Sequence, residues 1–328
     1  MQAAGILGTG SYLPEKVVTN QDLEQVVDTS DEWITTRTGI KERRQARPDQ
    51  ATSDLCLEAA RQALADANTG PEEIDLVIVA TVTPDMMFPA TACLVQDRLR
   101  ASGAAAFDLE AGCSGFMYGL ALASQMIATG SLRKALVIGA ETFSRIINWE
   151  DRGTCVLFGD GAGAAVVGPV PEGLGVLSFY LGSDGEGGKW LYQPAGGSRL
   201  PASAETVAGR MHTIHMHGNE VFKYAVRVME EASLTALSRC GLTPREVDFF
   251  VPHQANIRIV EAARKRLDIP PEKAFLNIHR CGNISSASIP LALDEASKAG
   301  RMHFGDTVLL AAFGAGFTWG AAVLKWAK

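Results

Sequence analysis

Paired cysteines are missing from this chain. Its six cysteines, at positions 56, 93, 113, 155, 240 and 281, form no C-x-x-C unit and no small secreted framework, which fits reduced thiols in a cytosol. A basic excess is missing too. Thirty Lys and Arg stand against 37 Asp and Glu, a formal net charge of −7, so no global field draws nucleic acid or anionic lipid and any basic contact must be local. No apolar run is long enough to span a bilayer, and Met1-Gln-Ala-Ala-Gly-Ile-Leu-Gly-Thr-Gly10 has no basic segment ahead of a long apolar core; the expectation is a soluble, cytoplasmic protein. Two nucleotide signals fail. Gly5-Ile-Leu-Gly-Thr-Gly10 is followed by Ser11-Tyr-Leu-Pro14 where a phosphate-binding helix should start, and Phe158-Gly-Asp-Gly-Ala-Gly163 runs into a strand. No metal site is expected either: His215 and His217 would share one face of a strand, His212 would take the other, and no carboxylate lies at ligand spacing.

What is present is 328 residues with 47% hydrophobic content, enough for about two domains with buried cores. The chain is organised around Ala106-Phe-Asp-Leu-Glu-Ala-Gly-Cys113-Ser-Gly-Phe-Met-Tyr-Gly. Residues 104–109 read as a buried strand, Gly112 and Gly115 flank a turn, and the apolar run to Ile127 reads as a helix ended by Gly130. Cys113 would then lie at a helix N-terminus, where orphan N–H groups and the positive dipole end favour thiolate over thiol and can hold an oxyanion. A buried, inert cysteine is the competing reading.

The second half of the chain repeats the first. Leu64 to Asp75 answers to Leu237 to Asp248, Ala106-Phe107 ahead of Cys113-Ser-Gly115 answers to Ala274-Phe275 ahead of Cys281-Gly-Asn283, and Phe158 to Gly163 answers to Phe313 to Gly320. A duplicated α/β unit predicts two like halves, 1–172 and 173–328, related by a pseudo-dyad, with sites where equivalent loops converge. Residues 174–216 have no visible counterpart and read as a turn-rich surface insertion.

Within the first half, Thr19-Asn20 open a short helix through Val27, and Thr29 with Glu32 suggests a capping box for the next. On that helix Trp33 and Arg37 lie four residues apart, so an indole and a guanidinium can share one side. They could stack a nucleotide base, or the Arg stem could simply cover the Trp. Met86, Met87 and Phe88 sit on a loop, as a lid, a subunit contact or a core plug. In the second half a strand over 247–251 ends at Pro252-His253, and Asn283 follows a strand over Asn277-Ile-His279. The duplication brings these strand ends to Cys113, so Cys113, His253 and Asn283 form the candidate catalytic set, and His279 takes a structural place.

At these residues the sequence resembles the β-ketoacyl-acyl-carrier-protein synthase III family of the thiolase superfamily over essentially its whole length. The motifs are Asp31 to Arg44, Ala111-Gly-Cys113-Ser-Gly115, Asp151-Arg152-Gly153, Phe158 to Gly163, Val251-Pro-His253-Gln-Ala-Asn256-Ile-Arg258, Gly282-Asn283-Ile-Ser-Ser-Ala-Ser and Phe313 to Gly320. The resemblance implies a duplicated αβαβα layered α/β fold and a decarboxylative condensation of an acyl-CoA with malonyl-acyl carrier protein, initiating fatty-acid synthesis. It implies catalysis by Cys113, His253 and Asn283, with an oxyanion hole from the N–H groups of Cys113 and Ala315. Trp33, Arg37, Arg152 and Gly153 would hold the adenine end of coenzyme A, and Gly218, Phe222, Ala255 and Asn256 would line the pantetheine tunnel. Phe143 and Phe158 would belong to the primer pocket, which Phe88 of a homodimer partner would close. Acyl-CoA is then a substrate, no cofactor or metal is needed, and an acidic carrier protein would dock on Lys223, Arg258, Lys265 and Arg266. Ala315 departs from a glycine common in the family, and Ser285-Ser286 from its usual pairings. The rival readings are a specialised condensing enzyme of the same fold, a papain-like hydrolase with Cys, His and Asn in that order, and a non-catalytic acyl-CoA binder.

Overall fold

A computed structural model describes residues 2–328. In chain order the strands of the first half are β1 (Ala4–Tyr12), β2 (Lys16–Thr19), β3 (Glu42–Gln45), β4 (Leu76–Ala80), β5 (Ala105–Leu109), β6 (Ala135–Thr142) and β7 (Asp160–Pro169). Those of the second are β8 (Gly175–Ser183), β9 (Leu191–Tyr192), β10 (His215–Met216), β11 (Phe249–Pro252), β12 (Thr307–Gly314) and β13 (Thr318–Lys325). One sheet runs β1-β7-β6-β4-β5 and the other β8-β13-β12-β11. The orders superimpose: β4 lies parallel to β6 as β11 lies parallel to β12, with antiparallel strands following on the same side. The counterpart of β5 survives only as an isolated bridge, Phe250 with Ala274.

The layers follow from which side chains each face must bury. Between the sheets lie the helices Gly115–Ala128 and Ser288–Lys298, whose Phe116, Met117, Leu120, Ile289, Ala292 and Leu293 meet Ile78 and Val137 of one sheet and Val251 and Leu310 of the other. The helices Thr52–Asp66 and Thr91–Leu99 cover the outer face of the first sheet, and Gly218–Arg239 with Ile257–Arg266 cover that of the second. Strands such as β4, Leu-Val-Ile-Val-Ala, are therefore buried on both faces and read as unbroken apolar runs. This is the expected αβαβα arrangement. The joints repeat as well: Asp75 Oδ2 accepts from the Arg133 and Lys134 backbone N–H groups, and Asp248 Oδ2 from that of Thr307.

Several local expectations are corrected. β5 is an edge strand with Phe107 exposed, not a buried one, because it pairs only with β4. Residues 175–183 are no insertion; they form β8, the counterpart of β1, and the true excursion runs from Asp184 to His217. Asn277 to His279 are not a strand, since Ile278–Cys281 closes a short helix and Asn283 is reached from it. The repeat also slips locally. The turn Ser285–Ala287 ahead of its central helix matches Gly112–Ser114 ahead of the other, so Cys113 falls opposite Ser286, not Cys281. Likewise β13 begins at Thr318 as β7 begins at Asp160, which sets Phe158 opposite Gly316. Ser30, not Thr29, caps the helix Asp31–Thr38, because its hydroxyl is the one that reaches the Trp33 N–H. The first helix is shorter than expected, Asn20–Glu24.

Candidate active site

The two central helices begin side by side, and the turns before them carry the site. Cys113 sits in the turn Gly112–Ser114, just ahead of the helix Gly115–Ala128. Backbone crowding fixes its neighbour across the cleft. Gly112 has φ +51, and a Cβ there would meet the Ala315 nitrogen at 2.8 Å. A Cβ on Gly314 would in turn collide with the Cys113 nitrogen. The two glycines thus let the backbone at 113 and at 315 approach closely. Ala315 itself lies outside the left-handed region, so an alanine fits there without backbone strain.

Two cavities meet at the sulfur. The larger, about 620 Å³, is lined by Cys113, Phe143, Phe158, Thr81, Met87 and Ser285 among others, and the smaller, about 140 Å³, by Cys113, Phe158, Gly218, Phe222, His253, Ala255, Asn256 and Asn283. The expected tunnel and primer-pocket residues of this chain therefore assemble, Phe143 and Phe158 in ring contact at 4.7 Å. Phe88 does not line its own chain's cavity: it is 84% exposed, and Met86 and Met87 beside it are exposed too, so this loop is no core plug.

His253 emerges from β11 with its N–H on the Ala311 carbonyl (2.8 Å) and is 1% exposed. Both ring nitrogens lack a partner, and burial lowers its pKa to about 3, so the ring is neutral at physiological pH. Asn283 is oriented by its own loop. Its Oδ1 accepts the Ser285 N–H at 2.9 Å, which leaves the amide nitrogen for the cleft. The expected thiolate at Cys113 is corrected: burial pushes the thiol up to about 12, beyond what the nearby helix end offsets. The Ser285 hydroxyl acts against that shift and the Glu141 carboxylate adds to it, although Ser285 Oγ makes no well-formed hydrogen bond.

Sequence reasoning missed two groups here. Glu141 is fully buried beneath the site, held by Thr83 Oγ1 (2.7 Å), Thr81 Oγ1 (3.2 Å), the Val82 N–H (3.2 Å) and Ser286 Oγ (3.2 Å), and burial raises its pKa to about 7. Its signal was a lone carboxylate in the apolar run Ala135 to Thr142. The other group is the Gly188-Leu191-Tyr192-Gln193 segment: the resemblance set the 174–216 insertion at the border of the tunnel, but these residues, read as turn-rich surface, line the larger cavity itself. Tertiary folding of the Asp184–His217 excursion over the sheet edge put it there, with no local pattern to announce it.

Further out, the Arg37 and Arg152 guanidinium carbons lie 4.8 and 4.7 Å from the Trp33 ring centroid, and Arg152 also holds the Asp28 carbonyl (2.9 Å), with Gly153 next to it. This cluster stands beside the tunnel, since Gly39, ending the Trp33 helix, packs against Ile257. Arg43, in the same motif, serves the fold: it is 1% exposed and donates to Val18 O, Val156 O and Asn20 Oδ1. Of the basic residues expected to dock a carrier protein, Arg258 lies over Phe222 at 5.3 Å and Lys265 is exposed, while Lys223 pairs with Glu220 (3.0 Å) and Arg266 with Glu230 (2.7 Å). Asn256 spends its side chain capping the next helix, accepting from Arg258 N at 2.8 Å. His212 bonds Thr206 (2.9 Å), His217 meets the Trp190 ring edge and His279 lies apart from the cleft. Among the described residues no His, Cys, Asp and Glu cluster could hold a metal ion, and no helix is long and apolar enough to cross a membrane.

Known proteins are similar to this chain in sequence and in fold. Residues 107–185 match the model of 3-oxoacyl-[acyl-carrier-protein (ACP)] synthase III, and residues 237–326 that of its C-terminal part. The chain is 64% identical over 326 residues to the beta-ketoacyl-[acyl-carrier-protein] synthase III of Caldanaerobacter subterraneus subsp. tengcongensis, covering 99% of this chain and 98% of the relative. That of Desulfitobacterium hafniense is 62% identical, covering 100% and 99%. The crystal structure of the Thermus thermophilus synthase III overlays with a TM-score of 0.92 at 54% identity, covering 98% of this chain and 99% of that one.

Proposed function

The chain belongs to the 3-oxoacyl-[acyl-carrier-protein] synthase III family, and from that premise we propose how its residues divide the work of the reaction. The enzyme is an acyltransferase that condenses an acyl-CoA with malonyl-acyl carrier protein and initiates fatty-acid synthesis. Cys113 attacks the acyl-CoA thioester, the N–H groups of Cys113 and Ala315 stabilise the tetrahedral oxyanion, and the carbon–sulfur bond to coenzyme A then breaks, coenzyme A leaving as a thiol with the proton that the Cys113 sulfur gave up. Malonyl-acyl carrier protein then enters by the same tunnel. His253 and the Asn283 amide donate hydrogen bonds to its thioester carbonyl, so the electron pair released with carbon dioxide is held as an enolate, which attacks the acyl-Cys113 carbonyl; the acyl carbon–sulfur bond then breaks and returns the free Cys113 sulfur. A neutral imidazole and an untitrating amide suit that task, because neither loses its proton as the charge develops. Loss of carbon dioxide drives the step, so the reading calls for no cofactor.

The observation that carries this reading is the sulfur at the junction of two cavities, one mainly apolar and without His253 in its lining, the other shared with His253 and Asn283. The first suits an acyl primer and the second a phosphopantetheine arm. A papain-like role is disfavoured because Asn283 turns its oxygen to the Ser285 N–H and not to the His253 ring. Trp33, Arg37, Arg152 and Gly153 would hold the nucleotide end, and Arg258 with Lys265 would lead the docking of carrier protein. The halves 1–172 and 173–328 act as one unit around the cleft. A cytoplasmic homodimer completes the reading: the outer edge of β5 is unpaired among the described residues, and the exposed Met86-Met87-Phe88 loop stands free to reach a second copy's primer cavity.

Half-reactions test the division. Acetyl-CoA should leave an acetyl adduct on Cys113 by mass spectrometry, and an adduct on any of the other five cysteines would refute the assignment. His253→Ala and Asn283→Ala should each keep measurable acylation while decarboxylation falls roughly 100-fold to 1000-fold. Loss of acylation with decarboxylation intact would reverse the roles.

A further inference from the structure

Ser285 carries two unfavourable features at once. Its Oγ is buried without a hydrogen-bond partner in a residue 1% exposed, and its φ is +45, a left-handed conformation that only glycine adopts freely. The backbone conformation has an evident product, since it aims the Ser285 N–H at Asn283 Oδ1. The hydroxyl makes no well-formed hydrogen bond in the resting site, where it stands near both the Glu141 carboxylate and the Cys113 sulfur and favours the charged form of each. It lines the larger cavity with Cys113, whereas the unpartnered hydroxyls of Thr29, Ser124 and Ser288 line neither cavity. Its neighbour Ser286 is not free for the same task, because Ser286 Oγ is taken by the Ala80 carbonyl (2.7 Å) and Glu141 (3.2 Å).

We propose that the Ser285 hydroxyl is the hydrogen-bond donor that receives the Cys113 sulfur when it ionises. A neutral thiol is a weak acceptor and a thiolate a strong one, so the hydroxyl, shared with the Glu141 side before reaction, turns to the sulfur as the charge appears. Once the sulfur carries an acyl group the charge is gone and the hydroxyl is released. The interaction exists only in the reactive form, and such an interaction lowers the barrier without stabilising the resting enzyme. The need for it is plain in the surroundings. Glu141 on β6 lies beneath the sulfur and opposes a second negative charge, Asp108 and Glu110 line the same cavity, and His253 is neutral. This inference rests on Cys113 being the nucleophile.

Ser285→Gly isolates the hydroxyl, because glycine accepts φ +45 without strain and keeps the N–H to Asn283; Ser285→Ala is the second variant. The measurement is iodoacetamide alkylation of Cys113 from about pH 6 to about pH 10, read by peptide mass spectrometry. Losing one hydrogen bond to a charged acceptor should move the rise in rate up by about one pH unit in both variants, or about tenfold slower labelling at a fixed pH on the slope. Acylation by acetyl-CoA should slow by a similar factor, with the Ser285→Gly thermal midpoint no lower than wild type. Ser124→Ala should label on the wild-type profile. Wild-type profiles in both Ser285 variants would overturn the proposal while leaving the nucleophile in place. An acetyl adduct absent from Cys113 in the wild type would remove both.

Discussion

Gly112→Ala tests the oxyanion hole through backbone geometry alone. A Cβ at 112 would stand 2.8 Å from the Ala315 nitrogen and 3.0 Å from its carbonyl oxygen, against ordinary contacts that begin near 3.4 Å, so the Ala315 backbone must retreat by about 0.6 Å. A donor set for an oxyanion at about 2.9 Å would then stand near 3.5 Å, at the limit of a useful hydrogen bond. Losing one such donor costs roughly 100-fold or more in rate. The substitution also forces alanine to φ +51, which destabilises by about 1–2 kcal/mol, a loss that a 328-residue chain should survive. The assay is single-turnover acetylation of Cys113 at saturating acetyl-CoA, with thermal unfolding as the control for fold. We expect acylation about 100-fold slower in a folded protein, with nucleotide affinity near wild type. Gly314→Ala, pressing on the Cys113 nitrogen from the other side, should act alike. A folded Gly112→Ala enzyme that acylates at the wild-type rate would show that the Ala315 N–H takes no part.

Three further outcomes follow from the geometry. Trp33→Ala removes the ring that the Arg37 and Arg152 guanidiniums approach, and the loss of one base-stacking surface should raise the KM for acetyl-CoA about tenfold with kcat little changed; a kcat loss without a KM change would move Trp33 out of the binding site. Arg258→Glu should raise the KM for malonyl-acyl carrier protein and flatten its salt dependence while Cys113 acetylation stays near wild type, and equal losses with both substrates would remove Arg258 from docking. The third concerns pH. His253 is neutral in the fold down to about pH 3, while an unfolded histidine takes up a proton below about 6.5; the unfolded state therefore binds more protons in that window, and this group makes stability fall as pH drops from 6.5 toward 3. Glu141, raised to about 7, works the other way between its ordinary value and 7. His253→Asn should thus lose less thermal stability than wild type between about pH 6.5 and about pH 5, and an unchanged or larger loss would contradict a buried neutral ring.

Much of this protein was determined by the sequence on its own. Apolar runs such as Leu76–Ala80 and Ala135–Ile138 have the length and composition of buried strands, the apolar positions of Thr52–Asp66 recur at helical spacing, and the repeat of Leu64–Asp75 at Leu237–Asp248 points to two like halves. Cys113 between an apolar strand and an apolar helix, and His253 at a strand end, were legible because local pattern marks where a strand stops. Tertiary structure decided what local pattern cannot encode. β5 is an edge because no second chain segment pairs with it, and β8 belongs to a sheet only through its ladder to β13, more than a hundred residues on. Asn283 owes its orientation to the N–H of a residue held at positive φ, and the thiol at Cys113 stays protonated because burial, a property of the assembled layers, outweighs the helix end that the sequence could display. Charge and hydrogen bonding depend on what surrounds a group in space, and that is settled only when the two halves close on one another.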